Sequence, residues 1–307
     1  MIRQGPELID EINRTRLPKG ALALWYLGQS GFVVKGNEDV VYMDPYLSDF
    51  LERYTRGRPD EDPRRFQPPL APEDVSNASI VFGSHYHFDH IDPVAIKIIS
   101  RTSPACRFVV PAAARKPLEE LGVPGERILS VEVDCPHDIG NTVFTAIPAA
   151  HENLAYDAEN GYPYHGYVIT IGGVNIYHAG DCVPYDGLIE RLRSLKVDIA
   201  LLPINGRDYF RLKRGFAGNF TYREAAELAV AIDAELLIPM HFCMHMANTE
   251  RPGLLVDYLI DNFPRQKFHV MIPGERFFYF KTDNVLMNVS AACKHDEKIK
   301  IGQQKEV

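Results

Sequence analysis

Two hydrophobic rhythms follow each other at the start of the chain. Residues 6–16 space their apolar positions for one face of a short amphipathic helix. Residues 21–27, 31–35 and 40–43 then read as strands, separated by the turns Gly28-Gln29-Ser30-Gly31 and Gly36-Asn37. From Ser79 onward short apolar runs alternate with helical periods. SIVFGSH is a buried strand, and Asp92-Pro93 opens a helix reaching about Ser100, with aspartate at the N-cap and proline at the first helical position. RFVVP (107–111) predicts a strand, AAARKPLEELG a helix stopped by glycine, and NTVFTAIPA a strand. GYVITIGGVNIYHAGD predicts a hairpin about Gly172-Gly173, VPYDGLIERLRSLK a helix and VDIALLPI a buried strand. Thr221 and Glu224 form a capping box for YREAAELAVAI. AELLIPMHF is another buried strand, RPGLLVDYLIDNF a helix, and strands follow near 268–272 and 276–280.

Two segments break the rhythm. Residues 48–75 are rich in proline and charge with little periodicity, which predicts a surface loop or insertion. A lid or oligomer contact, with Arg56, Arg58, Arg64 and Arg65 meeting an anion, is the sharper alternative. Residues 291–307 predict a polar tail. With no repeat and no low-complexity linker, residues 1–290 read as one domain. Many strands with interspersed helices predict an α/β (α+β) fold of two sheets covered by helices.

Composition narrows the function. A formal charge of −8 without a lysine/arginine tract argues against a nucleic-acid partner. No apolar run reaches the roughly 18 residues of a membrane span, and the first residues lack the apolar core of a secretory signal. The five scattered cysteines show no CxxC spacing, so reduced thiols and a cytoplasmic location are expected.

The chemistry concentrates in SHYHFDHID. His85, His87, Asp89 and His90 fall within six residues, after a buried strand and before a helix. His85 and His87, two apart in extended backbone, share a face. Three imidazoles and a carboxylate so close would waste their desolvation unless a divalent metal paired with them. His151, Asp181 and His241 each follow the end of another apolar strand, so they can converge on the same sheet edge. Seven ligands exceed one tetrahedral ion and fit two. His85, His87 and His151 would hold one ion, Asp89, His90 and His241 the other, and Asp181 would bridge them. Asp44, after the strand VVYM, is expected to orient a ligand histidine by hydrogen bonding. His178, three residues before Asp181, reads equally as a partner behind the ligands or as a packed strand histidine; His165 is expected to be structural rather than to touch substrate, and His245, four residues past His241, is not expected to be a ligand. Ligation by nitrogen and oxygen without thiolate admits Zn2+, Mn2+ or iron.

HxHxDH (85–90), the lone His151, GD (180–181) and His241 resemble the metallo-β-lactamase-fold hydrolases, over roughly residues 21–280. That resemblance implies a four-layer αββα sandwich with a dinuclear site at one sheet edge. WYLGQSGFVV (25–34), MDPYLSD (43–49), YHAGD (177–181), LPINGRD (202–208) and GNFTYREA (218–225) are most similar to the L-ascorbate-6-phosphate lactonase family. The lactonase resemblance implies manganese and an oligomer; the wider fold implies zinc.

The expected activity is therefore a metal-dependent hydrolase. Two ions would share a hydroxide that attacks an ester or lactone carbonyl, with Asp89 orienting it or shuttling its proton. A small-molecule, anionic substrate such as a phosphorylated sugar-acid lactone would need donors. The loop NGRDYFRLKRGFAGN supplies them, with Arg207 first and Asn205 beside it. Two alternatives stand: a phosphodiesterase of the same fold, and a metal-binding protein without turnover.

Overall fold

The computed structural model describes residues 2–36 and 38–281. Asn37 of the second turn, Cys293 and the polar tail lie outside them. Fourteen strands form two seven-stranded sheets among the described residues. The first holds β1 (Ala21–Gly28), β2 (Gly31–Lys35), β3 (Val40–Met43), β4 (Ile80–Phe82), β5 (Arg107–Val109) and β6 (Ile128–Leu129). The second holds β7 (Pro136–Ile139), β8 (Thr142–Pro148), β9 (His165–Ile171), β10 (Val174–His178), β11 (Ile199–Pro203), β12 (Leu236–Met240) and β13 (Lys267–Phe268). The last strand, β14 (Arg276–Phe280), returns to the first sheet and pairs antiparallel with β1. The helices are α1 (Gly5–Arg14), α2 (Phe50–Thr55), α3 (Pro93–Thr102), α4 (Ala112–Glu120), α5 (Leu188–Ser194), α6 (Tyr209–Lys213), α7 (Tyr222–Ala231) and α8 (Pro252–Asn262).

Strand alternation builds the layers. Along β1, Leu22, Leu24 and Tyr26 join a core with Phe144, Tyr167 and Ile176 of the second sheet. Their neighbours Ala23, Trp25 and Leu27 join a second core with Leu8 and Ile12 of α1 and Ile96 and Ile99 of α3. Because successive side chains point to opposite faces, one fully buried strand feeds both the space between the sheets and the outer helical layer. On the far side, Ala225, Ala226 and Ala229 of α7 and Leu255 and Leu259 of α8 cover the second sheet. The arrangement is helix, sheet, sheet, helix.

In each sheet an antiparallel half meets a parallel half. β3, β4, β5 and β6 are parallel, as are β10, β11, β12 and β13. Parallel strands end on the same edge, and clefts form at such carboxyl edges. The segment expected to be a featureless loop (48–75) contains α2 and a 3-10 turn at Pro72–Asp74. No helix among the described residues is long and apolar enough to cross a membrane.

Candidate metal centre

The turns that follow the strands carry the predicted ligands, and several take left-handed backbone to do so. Asp44 (φ 42°) follows β3 and His241 (φ 57°) follows β12. Gly180 (φ 59°) follows β10 just before Asp181. Non-glycine residues in this region store roughly 1–3 kcal/mol each and persist where surrounding bonds impose them. His241 is imposed by its N–H, which donates to Gln29 O at 2.7 Å, and Asp44 by its N–H to Phe82 O at 2.9 Å. The HFDH turn is closed by the amides of His90 and Ile91 on His87 O. Asp92 then caps α3, accepting from the amides of Val94 and Ala95, and also binds the amides of Leu47 and Ser48 and the Ser48 hydroxyl.

All seven residues meet at this edge. His85, His87 and His151 bring ring nitrogens within 4.8 Å of one another, and so do the ligand atoms of Asp89, His90 and His241. His85 Nε2 lies 2.9 Å from His87 Nδ1, which lies 3.2 Å from His151 Nε2. Asp181 stands between the two groups. Its Oδ1 is 3.2 Å from His90 Nε2 and 3.3 Å from His241 Nε2, while Oδ2 is 3.9 Å from His151 Nε2.

Hydrogen bonds behind the cluster set the tautomers. Asp44 Oδ2 lies 2.6 Å from His90 Nδ1 and accepts the Ser84 hydroxyl at 2.6 Å. The Ser84 proton is thereby committed, so Ser84 Oγ accepts from His85 Nδ1 at 3.0 Å. Both histidines then turn Nε2 toward the cluster. One buried carboxylate thus orients two rings, as second-layer carboxylates do around metals. His178 donates Nε2–H to Ser30 O and accepts the Gly180 amide at Nδ1, pinning two of these turns. His165 holds Ser84 O through its amide.

Charge divides the two groups. Burial depresses the pKa values of His85 and His87, and takes His151 down to about 4, so this trio consists of neutral imidazoles. Burial also opposes the charge on His241, but Asp181 and Asp89 outweigh it and raise it to about 9. His90 is raised in the same way, by Asp181, Asp89 and Asp44. Burial alone would raise the two carboxylates. His90 and His241 instead hold Asp89 and Asp181 well below the usual carboxylate range.

The residues fit metal ions on the chemistry of their donors. The ring nitrogens of three neutral imidazoles face one another, His85 Nε2 on His87 Nδ1 and His87 Nδ1 on His151 Nε2, an arrangement a shared cation satisfies. His90 Nε2, His151 Nδ1 and Asp181 Oδ1 are buried with no hydrogen-bond partner, and atoms in that condition need an ion, water or a functional explanation.

A cavity of about 300 Å³ opens onto the cluster. Its floor includes His87, Asp89, His151, Asp181 and His241, and its walls include Leu51, Tyr54, Tyr86, Phe88 and Phe216. Leu51, Tyr54, Thr55, Asp60 and Asp62 come from the 48–75 segment, which is a wall of the cavity. Two of its arginines, Arg64 and Arg58, are braces. Arg64 pairs with Glu52 at 3.3 Å, donates to Ser48 O and lies 3.9 Å over the Tyr46 ring; Arg58 pairs with Asp60 at 3.3 Å.

The basic loop expected to receive an anion lines the cavity through Gly215, Phe216 and Ala217, but its arginines are engaged elsewhere. Arg207 makes a two-pronged pair with Glu224 at 2.7 and 2.8 Å and donates to Asn219 O. Asn205 is buried, bonded to Asn219 and Asn248. Arg211 binds Asp208 and Asn205 O, and Arg214 binds Pro59 O and Glu61 O. Among the described residues no lysine or arginine lines the cavity. A guanidinium this well supplied with oxygen acceptors has no reason to reach for phosphate.

The sequence does not single out Gln29 at the site, and gives His245 only as a non-ligand. Gln29, seen only as part of a turn, donates to Asp89 Oδ2 at 2.9 Å and lies 3.1 Å from His241 Nε2. His245, set aside as a ligand and absent from the converging groups, lines the cavity. Cys182 is buried in the core, and Cys243 shares a contact with the Tyr26 hydroxyl.

Comparison with known proteins agrees with this geometry. The family described as "Beta-lactamase superfamily domain" matches residues 40–242. A "UPF0173 metal-dependent hydrolase" of Methanosarcina mazei is 27% identical over 260 residues, covering 83% of this chain and 97% of the relative. Among solved structures, the metallo hydrolase Igni18 from Ignicoccus hospitalis superposes with a TM-score of 0.62 at 23% identity, over 85% of this chain and all of that one. The metallo-β-lactamase fold protein YhfI from Bacillus subtilis gives 0.61 at 17% identity, over 85% and 100%. These likenesses show the fold: the four-layer αββα sandwich of metallo-β-lactamases.

Proposed function

The chain belongs to the Beta-lactamase superfamily domain family, and from that premise we propose that it is a metal-dependent hydrolase that opens an uncharged carboxylic ester or lactone. The observation that carries the reading is the position of Asp181, whose two oxygens face two separate groups of nitrogen and oxygen donors. Under this reading His85, His87 and His151 hold one divalent ion, Asp89, His90 and His241 a second, and Asp181 contacts both. When bound, such ions lower the pKa of water and polarise the bond to be cleaved.

The chain's own residues supply the rest. Asp89 lines the cavity while Gln29 fixes its Oδ2. That leaves it as the carboxylate to take the proton of the attacking water and return it to the departing alkoxide oxygen. Water adds to the carbonyl carbon, the carbon–oxygen bond breaks, and acid and alcohol result. Leu51, Tyr54, Phe88 and Phe216 exclude solvent around the reacting group. Asp44 and Ser84 hold the imidazoles of His85 and His90 with Nε2 toward the cluster.

The phosphorylated sugar-acid lactone is the weaker form of this proposal, because the cavity wall carries Asp60 and Asp62 and no lysine or arginine. The same observation disfavours a phosphodiester. The test is turnover by manganese- and zinc-loaded protein on phenyl acetate, an unsubstituted aryl lactone, L-ascorbate 6-phosphate and bis-p-nitrophenyl phosphate. Metal-dependent hydrolysis of the uncharged acyl substrates is expected. Preference for either phosphate compound would overturn the substrate class, and no turnover by the loaded protein would favour a binding role.

A further inference from the structure

His245 sits in the cavity wall with one ring nitrogen committed and the other free. Its Nδ1 is 2.8 Å from the Asp62 carbonyl oxygen. A carbonyl only accepts, so Nδ1 carries the proton and Nε2 keeps its lone pair. Nε2 is buried and has no partner in the protein, and the residue is 3% exposed. The surroundings hold the ring in this pose. Tyr46 stacks on it at 5.9 Å and 17°, and Arg64 lies on Tyr46. The Asp62 carboxylate accepts the amides of Met246, Ala247 and Asn248, fixing the loop that carries His245. A buried acceptor held this firmly and left unpaired calls for a donor that arrives from outside.

We propose that His245 is a substrate-binding residue whose Nε2 accepts a hydrogen bond from an N–H or O–H group of an uncharged substrate, with the substrate's apolar or aromatic part against Tyr54, Phe88 and Phe216. The inference rests on the reading of this cavity as the substrate site of a hydrolase. His245 belongs to none of the groups of converging ligand atoms, so it is available for substrate. The remaining wall supports an uncharged ligand. Among the described residues no lysine or arginine lines it, Asp60 is paired with Arg58, and the charge of Asp62 is spread over three amides. A site built around a hydrogen-bond acceptor discriminates against analogues that lack the donor.

The experiment uses the metal-loaded full chain and a matched pair of probes, phenylacetamide and N,N-dimethylphenylacetamide, with binding measured by calorimetry or ligand-observed NMR. The wild type is expected to bind the N–H probe about tenfold more tightly, as one net hydrogen bond gives. His245→Asn keeps an amide donor for the Asp62 carbonyl but removes the acceptor, so the preference should vanish at unchanged metal content. His245→Gln, whose amide oxygen reaches near the Nε2 position, should restore part of it. Equal binding of the two probes to the wild type, binding of neither, or a preference that survives His245→Asn overturns the proposal. Selective, His245-dependent binding without hydrolysis of any ester or lactone would instead sink the acyl-hydrolase reading and leave this one standing.

Discussion

Gln29 donates its side-chain amide to Asp89 Oδ2 at 2.9 Å, tying the turn after β1 to the HFDH turn after β4. The same amide nitrogen lies 3.1 Å from His241 Nε2, and Gln29 itself has φ 53°. One glutamine therefore touches two of the three residues assigned to the second ion and none assigned to the first. Outer-layer partners of this kind typically change metal affinity about 10–100-fold. Gln29→Ala is expected to weaken one of two binding steps by that order and spare the other, read by competition with a chelating indicator. Two unchanged steps would reduce Gln29 to a structural brace.

The division of ligands predicts a division of stoichiometry. His151→Ala removes a nitrogen from the first group alone, and His241→Ala one from the second alone. Each variant should retain one ion tightly by elemental analysis after dialysis. Asp181→Ala, which faces both groups, should weaken both ions and lose activity with them. Two ions retained by Asp181→Ala would end its role as the bridge.

The convergence of the seven residues was legible in the sequence because four of them lie just past apolar runs that form strands, and the other three share the turn after His85. Strand ends are local features, and β4, β8, β10 and β12 all finish within four residues of His85, His151, Asp181 and His241. The capping box of Thr221 and Glu224 was legible for the same reason. The cavity walls were not. Leu51, Tyr54 and Phe216 sit in segments rich in charge, proline and glycine, where no period marks a buried face. Arg207 reads as a free cation in a basic loop, yet Glu224 occupies it across a fold that brings the loop onto α7. HFCMH is not helical, so the spacing of four left His245 outside the ligand set, and nothing local marked its place in the cavity wall.

The Arg207–Glu224 pair has a predictable pH signature. Burial alone would raise the Glu224 carboxyl, but Arg207 and the Thr221 amide outweigh it and hold its pKa below the ordinary glutamate value. A folded pKa depressed below the unfolded one adds stability above the unfolded pKa, about 4.3, and that stability disappears as pH falls through the folded pKa. The pair is partly solvated, so its share is at most about 1 kcal/mol. Wild type minus Glu224→Gln stability, from urea melts between pH 3 and 7, should be positive at neutrality and shrink at the acid end. Arg207→Ala should show the same modest loss and no selective loss on phosphorylated substrates; a selective loss would reinstate its role in binding phosphate.

Asp62 offers a larger effect outside the converging ligand groups. Its carboxylate receives three amides at 2.7–2.9 Å in a buried setting. Bonds to a charged acceptor contribute about 1.5–3 kcal/mol each before coupling, and orphaned donors add a penalty. Asp62→Ala should therefore destabilise the protein by roughly 2–4 kcal/mol and loosen residues 244–248 in hydrogen exchange, with both ions still bound. Asp62→Asn should recover part of this. Full stability in Asp62→Ala would mean that the 244–248 loop is held by other contacts.

Gly180 tests whether the backbone turn before Asp181 is required by the site. Its φ is 59°, and a Cβ there would lie 2.7 Å from Ser84 Cβ and 2.8 Å from His165 O. Neither neighbour is free to move: the Ser84 hydroxyl is on Asp44 at 2.6 Å, and the His165 amide is on Ser84 O at 2.9 Å. Gly57 has φ 77° with nothing within 4 Å, so Gly57→Ala carries the conformational penalty without the clash. That control should cost about 1 kcal/mol and leave metal content intact. Gly180→Ala should cost at least about 2 kcal/mol and, in the protein that still folds, displace Asp181 and reduce bound metal. If the two variants match in stability and both hold their full metal content, the close packing of Gly180 on Ser84 is not what sets Asp181 between the two groups.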